Sequence, residues 1–209
     1  VESPFSSIQY AIDMATKGDT ILVSAGTYLE NINFNGKNIA LIGEDRETTI
    51  IDGNNNGTVV TFNNGENQNA RLTNFTITNG SSSDEGGGIK INNSSPTLTS
   101  IIIVNNTATG NGGGISCEDY SNPSIRDVAI IDNVSTNNGG GINCVDSEPN
   151  LERVLIANNQ SSNDGAGIRL WNSSPTINKI TIVDNTSDEG GGVHIRDNSN
   201  PSFNNAIIY

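Results

Sequence analysis

The stretch "DEGGGIKINNSSPTLTSIIIVNN", residues 84–106, indicates the fold because closely similar stretches recur along the chain. A near copy, "DEGGGVHIRDNSNPSFNNAIIY", occupies residues 188–209. The glycine-rich triplets that open these units begin at Gly86, Gly112, Gly139, Gly165 and Gly190, at intervals of 26, 27, 26 and 25 residues. A period of this length is typical of solenoids, in which each unit is stable only when stacked on its neighbours.

Apolar residues recur at the same places in every unit. Within a unit they alternate with polar residues, as in Ile89-Lys90-Ile91, which is the period of a half-buried strand. Stacked units then place like residues about 4.8 Å apart in parallel ladders. The apolar columns are Ile89/Ile115/Ile142/Ile168/Val193, Ile91/Cys117/Cys144/Leu170/Ile195, Leu98/Ile125/Leu151/Ile177/Phe203, Ile101/Val128/Val154/Ile180/Ala206 and Ile103/Ile130/Ile156/Ile182/Ile208. The pattern predicts an all-β parallel β-helix with about 26 residues per coil.

Two polar columns support the same register. Asparagine recurs at Asn106, Asn133, Asn159 and Asn185, where stacked amides can form a ladder at a corner. In the outward columns, Arg126 falls over Glu152 and Asp127 falls over Arg153 one coil later. Opposite charges at facing positions favour this alignment, since like charges there would destabilise the sheet.

The first part of the chain is built differently. In residues 5–17, Ile8, Ala11, Ile12 and Ala15 have helical spacing, which predicts a short amphipathic helix that caps the stack. Ser6 with Gln9 is a candidate capping box, and Gly18 is a candidate helix terminator. We expect a single domain over residues 1–209, with irregular coils over 18–85 and regular repeats over 86–209. We also expect the stack to continue beyond residue 209.

The composition of the chain limits the classes of partner that it can bind. The chain of 209 residues has a formal net charge of −13, which disfavours nucleic acid and anionic membrane surfaces as partners because both would repel it. The sequence contains no apolar run near the roughly 18 residues that a membrane span needs. Cations and neutral ligands fit this charge better.

The opening "SIQYAIDMATKGDTILVSAGTYLENINFNGKNIALIGEDRETTIIDG", residues 7–53, resembles the start of right-handed parallel β-helix proteins of the pectate lyase-like superfamily. It is similar to the N-terminal region of pectin methylesterases. The "GGGI" and "IVDN" motifs resemble the GGxI and FxxN repeats of bacterial polymorphic membrane proteins. The resemblance implies a right-handed parallel β-helix at the bacterial surface or in the medium. It does not imply an activity, because the aspartate pair, arginine and glutamines of pectin methylesterases have no counterpart here.

One outward patch is the candidate ligand site. The column Lys90, Ser116, Asn143, Arg169, His194 and its neighbour Asn92, Glu118, Val145, Trp171, Arg196 place four distinctive side chains on two adjacent coils. Arg169, Trp171, His194 and Arg196 would bind a glycan by stacking on a sugar and pairing with uronate carboxylates, and Lys90 extends the same column. Arg169, His194 and Arg196 are the catalytic candidates if the protein is an enzyme. Alternatively, these long side chains only cover the neighbouring backbone.

Acidic residues offer a candidate calcium site, although no cofactor is required by the pattern. Asp119 and Asp146 lie one coil apart with Glu118 nearby, and calcium binds six to eight oxygen ligands. Corner aspartates also form Asx turns without a metal. The acidic tips at residues 81–86 and 186–190 have the same two interpretations.

Cys117 and Cys144 share one inward column on neighbouring coils. Free buried thiols and a disulfide are both compatible with that spacing, and an apolar inward position makes neither cysteine catalytic.

These observations favour a non-catalytic structural, adhesive or glycan-binding module. The alternative is a polysaccharide lyase or hydrolase that acts on acidic glycans, with its site on the outward strand face. A third interpretation is a fibre subunit that self-associates end to end through the C-terminal coil.

Overall fold

The computed structural model describes residues 7–209, so residues 5 and 6 of the expected cap, including Ser6, lie outside the described residues. The chain is a parallel β-solenoid of about 7 turns with about 26 residues per coil and one short helix at its N-terminal end. The predicted fold class is therefore confirmed.

The elements follow one another in short segments. Helix α1 spans Ile8–Met14. The strands of the irregular coils are β1 (Thr20–Val23), β2 (Gly26–Leu29), β3 (Ile32–Asn33), β4 (Ala40–Gly43), β5 (Thr49–Asp52), β6 (Val60–Phe62), β7 (Arg71–Thr78) and β8 (Ser81–Ser82). The strands of the regular repeats are β9 (Ile89–Asn92), β10 (Thr97–Val104), β11 (Thr107–Ala108), β12 (Ile115–Glu118), β13 (Ser124–Arg126), β14 (Ala129–Ile131), β15 (Val134–Ser135), β16 (Ile142–Val145), β17 (Asn150–Ala157), β18 (Gln160–Ser161), β19 (Ile168–Trp171), β20 (Thr176–Val183), β21 (Val193–Arg196) and β22 (Ser202–Ile208).

The strands form three parallel sheets that run along the solenoid. The largest has the order β1-β4-β7-β10-β13-β17-β20-β22, with β2, β5 and β14 paired beside this path. The second, which we call the groove sheet, has the order β21-β19-β16-β12-β9-β6-β3, and the third has the order β18-β15-β11-β8. Leu98 pairs with Ile125 and Ile115 pairs with Ile142, so the register is the one that the repeat predicts.

The interior is a stack of aliphatic columns. Ile103, Ile130, Ile156 and Ile182 lie above one another and have no exposed surface. Each isoleucine fills the space between its neighbours above and below, so truncation of one to alanine costs about 2–5 kcal/mol.

The N-terminal helix covers one end of this core, as predicted. The Ser7 side chain accepts a hydrogen bond from the Tyr10 N–H, and the Glu30 carboxylate accepts from the N–H groups of Ile8 and Gln9, each at 2.9 Å. Ser7 and Glu30 therefore satisfy the free donors of the first turn.

The helix ends earlier than the sequence pattern suggests. Its last residue is Met14, and Ala15 is already extended, with φ −69° and ψ 151°. Lys37 Nζ donates to the carbonyl oxygens of Ile12, Asp13 and Ala15, which a helix C-terminus otherwise leaves without partners. Gly18 lies beyond this end, in the following turn.

The predicted asparagine ladder is present. Asn106 Nδ2 donates to Asn133 Oδ1 at 3.0 Å, Asn133 to Asn159 at 3.0 Å, and Asn159 to Asn185 at 2.9 Å. A second ladder was not predicted: a backbone N–H on each coil donates to the serine Oγ of the next coil. Its members recur at intervals of 26 or 27 residues and are Ser94, Ser121, Ser147, Ser173 and Ser199.

Both predicted charge pairs form on the largest sheet. Arg126 Nη2 lies 3.0 Å from Glu152 Oε2, and Arg153 Nε lies 2.6 Å from Asp127 Oδ1. Arg126 and Glu152 are direct register partners on β13 and β17. These contacts confirm the alignment of successive repeat units from which the two charge pairs were predicted.

Candidate functional site

The four patch residues lie together on the last two strands of the groove sheet. Arg169 pairs with His194 and Trp171 pairs with Arg196 across β19 and β21. The strand column that contains Arg169 is less exposed than an outward face suggests: Ser116, Asn143 and Arg169 are 1%, 0% and 7% exposed. The expected open patch is instead partly covered.

The loops that precede the glycine triplets provide the cover. They turn back over the strand column and leave a shallow groove of about 440 Å³ between loop and strand. Its lining residues are Asn138, Asn163, Asp164, Arg169, Trp171, Asp188, Glu189 and Arg196. We refer to this feature as the groove.

Glycine at the first position of a triplet allows this approach. Gly165 has φ +60°, and a Cβ atom there would lie 2.6 Å from the carbonyl oxygen of Ile168 and 2.9 Å from the Cα of Arg169. The left-handed conformation and the lack of a side chain therefore let the loop touch the strand. As a result, Asp164 is held directly above the residues of β19 and β21.

Arg169 forms the floor of the groove. Its Nη1 donates to Asn143 Oδ1 at 3.2 Å, and its guanidinium carbon lies 4.7 Å from the centroid of the Trp171 ring. Its Nε is buried and has no hydrogen-bond partner. Burial lowers the pKa of the guanidinium below its usual value, although the Asp164 carboxylate opposes this effect.

Trp171 and Arg196 form the accessible side of the groove. The guanidinium carbon of Arg196 lies 5.9 Å from the Trp171 centroid, so two cations flank one indole. Trp171 is 38% exposed, while Arg196 Nη1 lies 3.4 Å from Asp164 Oδ2. The ring is thus partly engaged by the protein itself, and a sugar can reach only its remaining surface.

His194 faces two carboxylates. Its Nδ1 lies 3.2 Å from Asp164 Oδ2, and its Nε2 lies 3.9 Å from Glu189 Oε2. The closer contact does not have hydrogen-bond geometry, so Nδ1 is buried without a partner. Within residues 7–209, the buried side-chain atoms that lack a hydrogen bond are this nitrogen and Arg169 Nε.

The candidate residues at the far end of the same sheet are paired differently. Lys90 Nζ lies 2.7 Å from Asp84 Oδ2 and 3.8 Å from Glu85 Oε2. Lys90 is therefore already neutralised by the acidic tip of its own loop. It lies on the same strand column as Arg169 but three coils away from it, since β12 and β16 lie between β9 and β19.

Glu118 lies beside that pair and is protonated near neutral pH. Burial, followed by its contact with Glu85, raises the pKa of this carboxyl to about 8. Ser116 Oγ and Asn143 Nδ2 donate to Glu118 Oε1 at 3.0 and 3.2 Å. A carboxyl that keeps its proton is a weaker calcium ligand, so its predicted role as one depends on proton release.

Asp119 and Asp146 occupy corners of the solenoid. Their φ angles are +55° and +50°, a left-handed conformation that aspartate and asparagine tolerate better than most residues. Asp119 accepts a hydrogen bond from Asn92 Nδ2 at 2.6 Å, and Asp146 accepts one from Asn172 Nδ2. These contacts account for the acidic column as a structural corner, while calcium binding there stays a prediction.

Cys117 and Cys144 are register partners on β12 and β16, and both are buried free thiols. The contact with Cys144, together with burial, raises the pKa of the Cys117 thiol well above its usual value. A thiol held in its protonated form is a poor nucleophile, in keeping with a structural role.

The residues that the sequence interpretation missed are the groove acids Asp164 and Glu189, of which Glu189 was assigned only to an acidic tip. Both come directly before a glycine triplet, and a parallel bridge joins them on adjacent coils. The signal was the column Glu85, Asn111, Asn138, Asp164, Glu189, which has the repeat period. This column lies above the strand column because the loops turn back over the strands. The spacing of residues in the sequence does not specify that path.

Fold and groove together define a parallel β-solenoid with a polar groove along one sheet. Residues 12–209 match the family described as "Periplasmic copper-binding protein (NosD)", and the chain belongs to this family. The resemblance to β-helix repeat proteins is thereby confirmed.

One solved structure illustrates the likeness of fold. The pectin methylesterase from Yersinia enterocolitica superposes with a TM-score of 0.51 at 14% sequence identity, covering 93% of this chain and 95% of that chain. At this identity the likeness concerns the fold alone. No curated protein sequence shows significant similarity to the chain.

None of the helices within residues 7–209 has the length and apolar character needed to cross a membrane.

Proposed function

We propose that this chain is an exported, non-catalytic β-solenoid that binds acidic carbohydrate in the groove through Arg169, Trp171 and Arg196. The observation that carries the proposal is the buried Arg169 Nε, which points to a missing acceptor in a groove that it lines. A buried donor without a partner costs about 1–3 kcal/mol, so a side-chain movement that brings Arg169 Nε to a ligand oxygen would be favoured.

The chemistry of the groove favours a carboxylate-bearing sugar. The guanidinium fork suits a carboxylate, and Arg196 is half exposed, with a 3.4 Å contact to Asp164 and a 5.9 Å distance to the Trp171 ring. The exposed part of Trp171 offers an apolar surface beside these cations. A shallow, open groove along stacked strands suits a segment of a polymer better than an enclosed small molecule.

The family description supports placement outside the cytoplasm, because it names the periplasm. A location at the cell surface, and a role as an adhesin, are the finer parts of the proposal. They are supported by the resemblance of the "GGGI" and "IVDN" repeats to those of surface proteins.

The family description also names copper. Soft sulfur ligands are poorly placed, since Cys117 and Cys144 are buried in the core and Met14 lies on the N-terminal helix. The only histidine, His194, stands beside Asp164 and Glu189, and a set of one imidazole and two carboxylates fits Cu²⁺. These three residues would hold the ion, which would add a Lewis-acidic centre to the groove.

The test of the carbohydrate proposal is a binding titration with oligogalacturonates, using uncharged oligosaccharides of equal length as the comparison. Trp171 is the only tryptophan, so its fluorescence reports directly on the groove. We expect Arg196→Ala to weaken binding about tenfold or more, because a charge-assisted contact is lost. The matched control is Arg126→Ala, which removes an exposed arginine from the largest sheet.

Equal binding of charged and uncharged oligosaccharides, or an equal loss in both arginine variants, would contradict the proposal. Absorbance of unsaturated uronates is recorded in the same samples. Product that disappears in Arg169→Ala, His194→Ala or Arg196→Ala would establish the alternative, a polysaccharide lyase.

A further inference from the structure

We infer that Asp164, Glu189 and His194 form a binding site for a divalent transition-metal ion, with Cu²⁺ bound more tightly than Zn²⁺ and Ca²⁺ bound most weakly. The family description names a metal but no residues, and the assignment rests on the groove of this chain. It concerns other side chains than the carbohydrate proposal, which depends on Arg169, Trp171 and Arg196.

The ligand atoms are close enough to share one ion. One oxygen from each carboxylate and one imidazole nitrogen all lie within 4.8 Å of one another. The closest pair, His194 Nδ1 and Asp164 Oδ2, is 3.2 Å apart. Two ligands at about 2.0–2.2 Å from one ion, at an angle between 90° and tetrahedral, are separated by roughly 2.8–3.6 Å. This pair thus already has the spacing of two metal ligands, and Glu189 needs only a side-chain movement.

A second observation points to the same place. His194 Nδ1 is buried and makes no hydrogen bond, although the Asp164 oxygen is within reach. This nitrogen therefore faces a carboxylate oxygen without forming a hydrogen bond to it. A metal ion between the two atoms would give this nitrogen a partner, as in known histidine and carboxylate sites.

The backbone holds two of the ligands in place. Asp164 and Glu189 are joined by a parallel bridge, and the N–H of Gly165 donates to the Glu189 carbonyl oxygen at 2.9 Å. His194 lies on β21, which pairs along its length with β19. Ligands on paired backbone segments lose little freedom on binding, which favours affinity.

The net negative charge of the groove lining favours the binding of a cation. The ligand atoms determine which metal ion binds most tightly. Asp164, Asp188 and Glu189 outnumber the two guanidinium groups that line the groove, those of Arg169 and Arg196. Arg196 is half exposed and can turn away from Asp164 when an ion binds there. Imidazole favours Cu²⁺ and Zn²⁺, whereas Ca²⁺ needs six or more oxygen ligands, and Cu²⁺ generally precedes Zn²⁺ in affinity.

The experiment titrates the purified chain with Cu²⁺, Zn²⁺ or Ca²⁺ alone and measures affinity and stoichiometry by calorimetry. With Cu²⁺, we expect one ion per chain, quenching of Trp171 fluorescence, and an electron paramagnetic resonance spectrum with coupling to one imidazole nitrogen. Asp164→Asn and His194→Gln should each weaken Cu²⁺ binding about tenfold or more.

The matched control is Asp132→Asn, which removes one exposed carboxylate at a left-handed corner that does not belong to the groove lining. It should bind Cu²⁺ as the parent does. Circular dichroism of each variant verifies that the solenoid is folded, and His194→Ala serves as a second variant if His194→Gln is not.

Three results would overturn the inference. The first is Cu²⁺ affinity that is unchanged in the folded His194 variant, because binding would then lie at the chain's amino group or at scattered carboxylates. The second is a spectrum without imidazole coupling, and the third is Ca²⁺ affinity equal to that for Cu²⁺.

Discussion

The asparagine column and the groove column have the same period, and both are buried polar columns, yet they differ in how completely they are hydrogen-bonded. In the asparagine column, Asn133 Nδ2 donates to Ile103, Ile131 and Asn159, and its Oδ1 accepts from Asn106. In the groove, Arg169 Nε and His194 Nδ1 have no partner. The asparagine column is therefore fully hydrogen-bonded without a ligand, whereas the groove column has buried nitrogen atoms that lack a partner.

The difference follows from the residue types. An amide carries both donor and acceptor atoms, so identical asparagines satisfy one another at every coil. The groove column changes residue at each step, from Lys90 through Ser116 and Asn143 to Arg169 and His194. Two donor-rich side chains then lie side by side at its end. A column that repeats asparagine at every coil therefore stabilises the solenoid. A column in which the residue type changes leaves hydrogen-bond donors available to a ligand.

The largest expected effect is on the complete column. Asn133→Leu removes the amide, so the buried backbone N–H of Asn106 loses its acceptor. The oxygens of Ile103, Ile131 and Asn159 lose the Nδ2 donor at the same time. We expect the free energy of unfolding in urea to fall by about 3 kcal/mol or more, because each buried group left unsatisfied costs about 1–3 kcal/mol.

The control for that change is Asn122→Ala. Asn122 is exposed, and its Oδ1 accepts one hydrogen bond, from the Glu148 N–H at 2.7 Å. It should lose about 1 kcal/mol or less. Equal losses of unfolding free energy in both variants would mean that burial does not increase the contribution of the asparagine ladder to stability.

The second effect is a pH dependence that originates at Glu118. The unfolded chain releases this proton near pH 4.5, whereas in the folded chain burial and Glu85 raise the pKa of the carboxyl to about 8. Between these values the folded state binds more protons, so the free energy of unfolding falls as pH rises and is fully retained below about pH 4.5. Because Glu118 is partly exposed, we expect a loss of only about 1–2 kcal/mol across this window.

Glu118→Gln removes the titrating group and should flatten that slope in urea unfolding between pH 5 and 8. Glu47→Gln, which changes an exposed carboxylate, should leave the slope in place. A parent slope that survives in Glu118→Gln would assign the dependence to other groups.

The third effect tests the incomplete column. Arg169→Met keeps the volume of a long side chain but removes a buried charge and its unpartnered Nε. Replacement of a buried charge by an apolar residue is often close to neutral, so we expect the free energy of unfolding to change by about 1 kcal/mol or less. Oligogalacturonate binding should nevertheless be lost. A loss of stability as large as that in Asn133→Leu would instead show that the groove column is structural.

The smallest effect is on the exposed charge pairs. Arg126→Ala removes the 3.0 Å contact with Glu152 on the largest sheet. Urea unfolding should show a loss of only a few tenths of a kcal/mol, because solvent screens exposed pairs. The same measurement in 1 M salt should reduce the difference further, and a loss that grows with salt would rule out an electrostatic origin.

Much of the fold was predictable because the repeat period specifies neighbours along the stack. The Ile103 column, the Asn133 ladder and the Arg126–Glu152 pair each needed only the alignment of one coil on the next. The same logic placed Arg169 beside His194. It did not predict that Arg169 is buried or that Asp164 lies above it, because those contacts join a loop to a strand within and between coils.

The coil length, the inward columns and the register follow from the order of residues alone, since a period of about 26 residues admits one consistent stacking of isoleucine on isoleucine. The position of the groove, in contrast, depends on how the folded loops lie against the strands. The left-handed glycines turn each loop back onto its strand, and that path brings Asp164 and Glu189 to His194. A strand period describes which residues share a face, but the contact between a loop and that face depends on backbone angles that no spacing records.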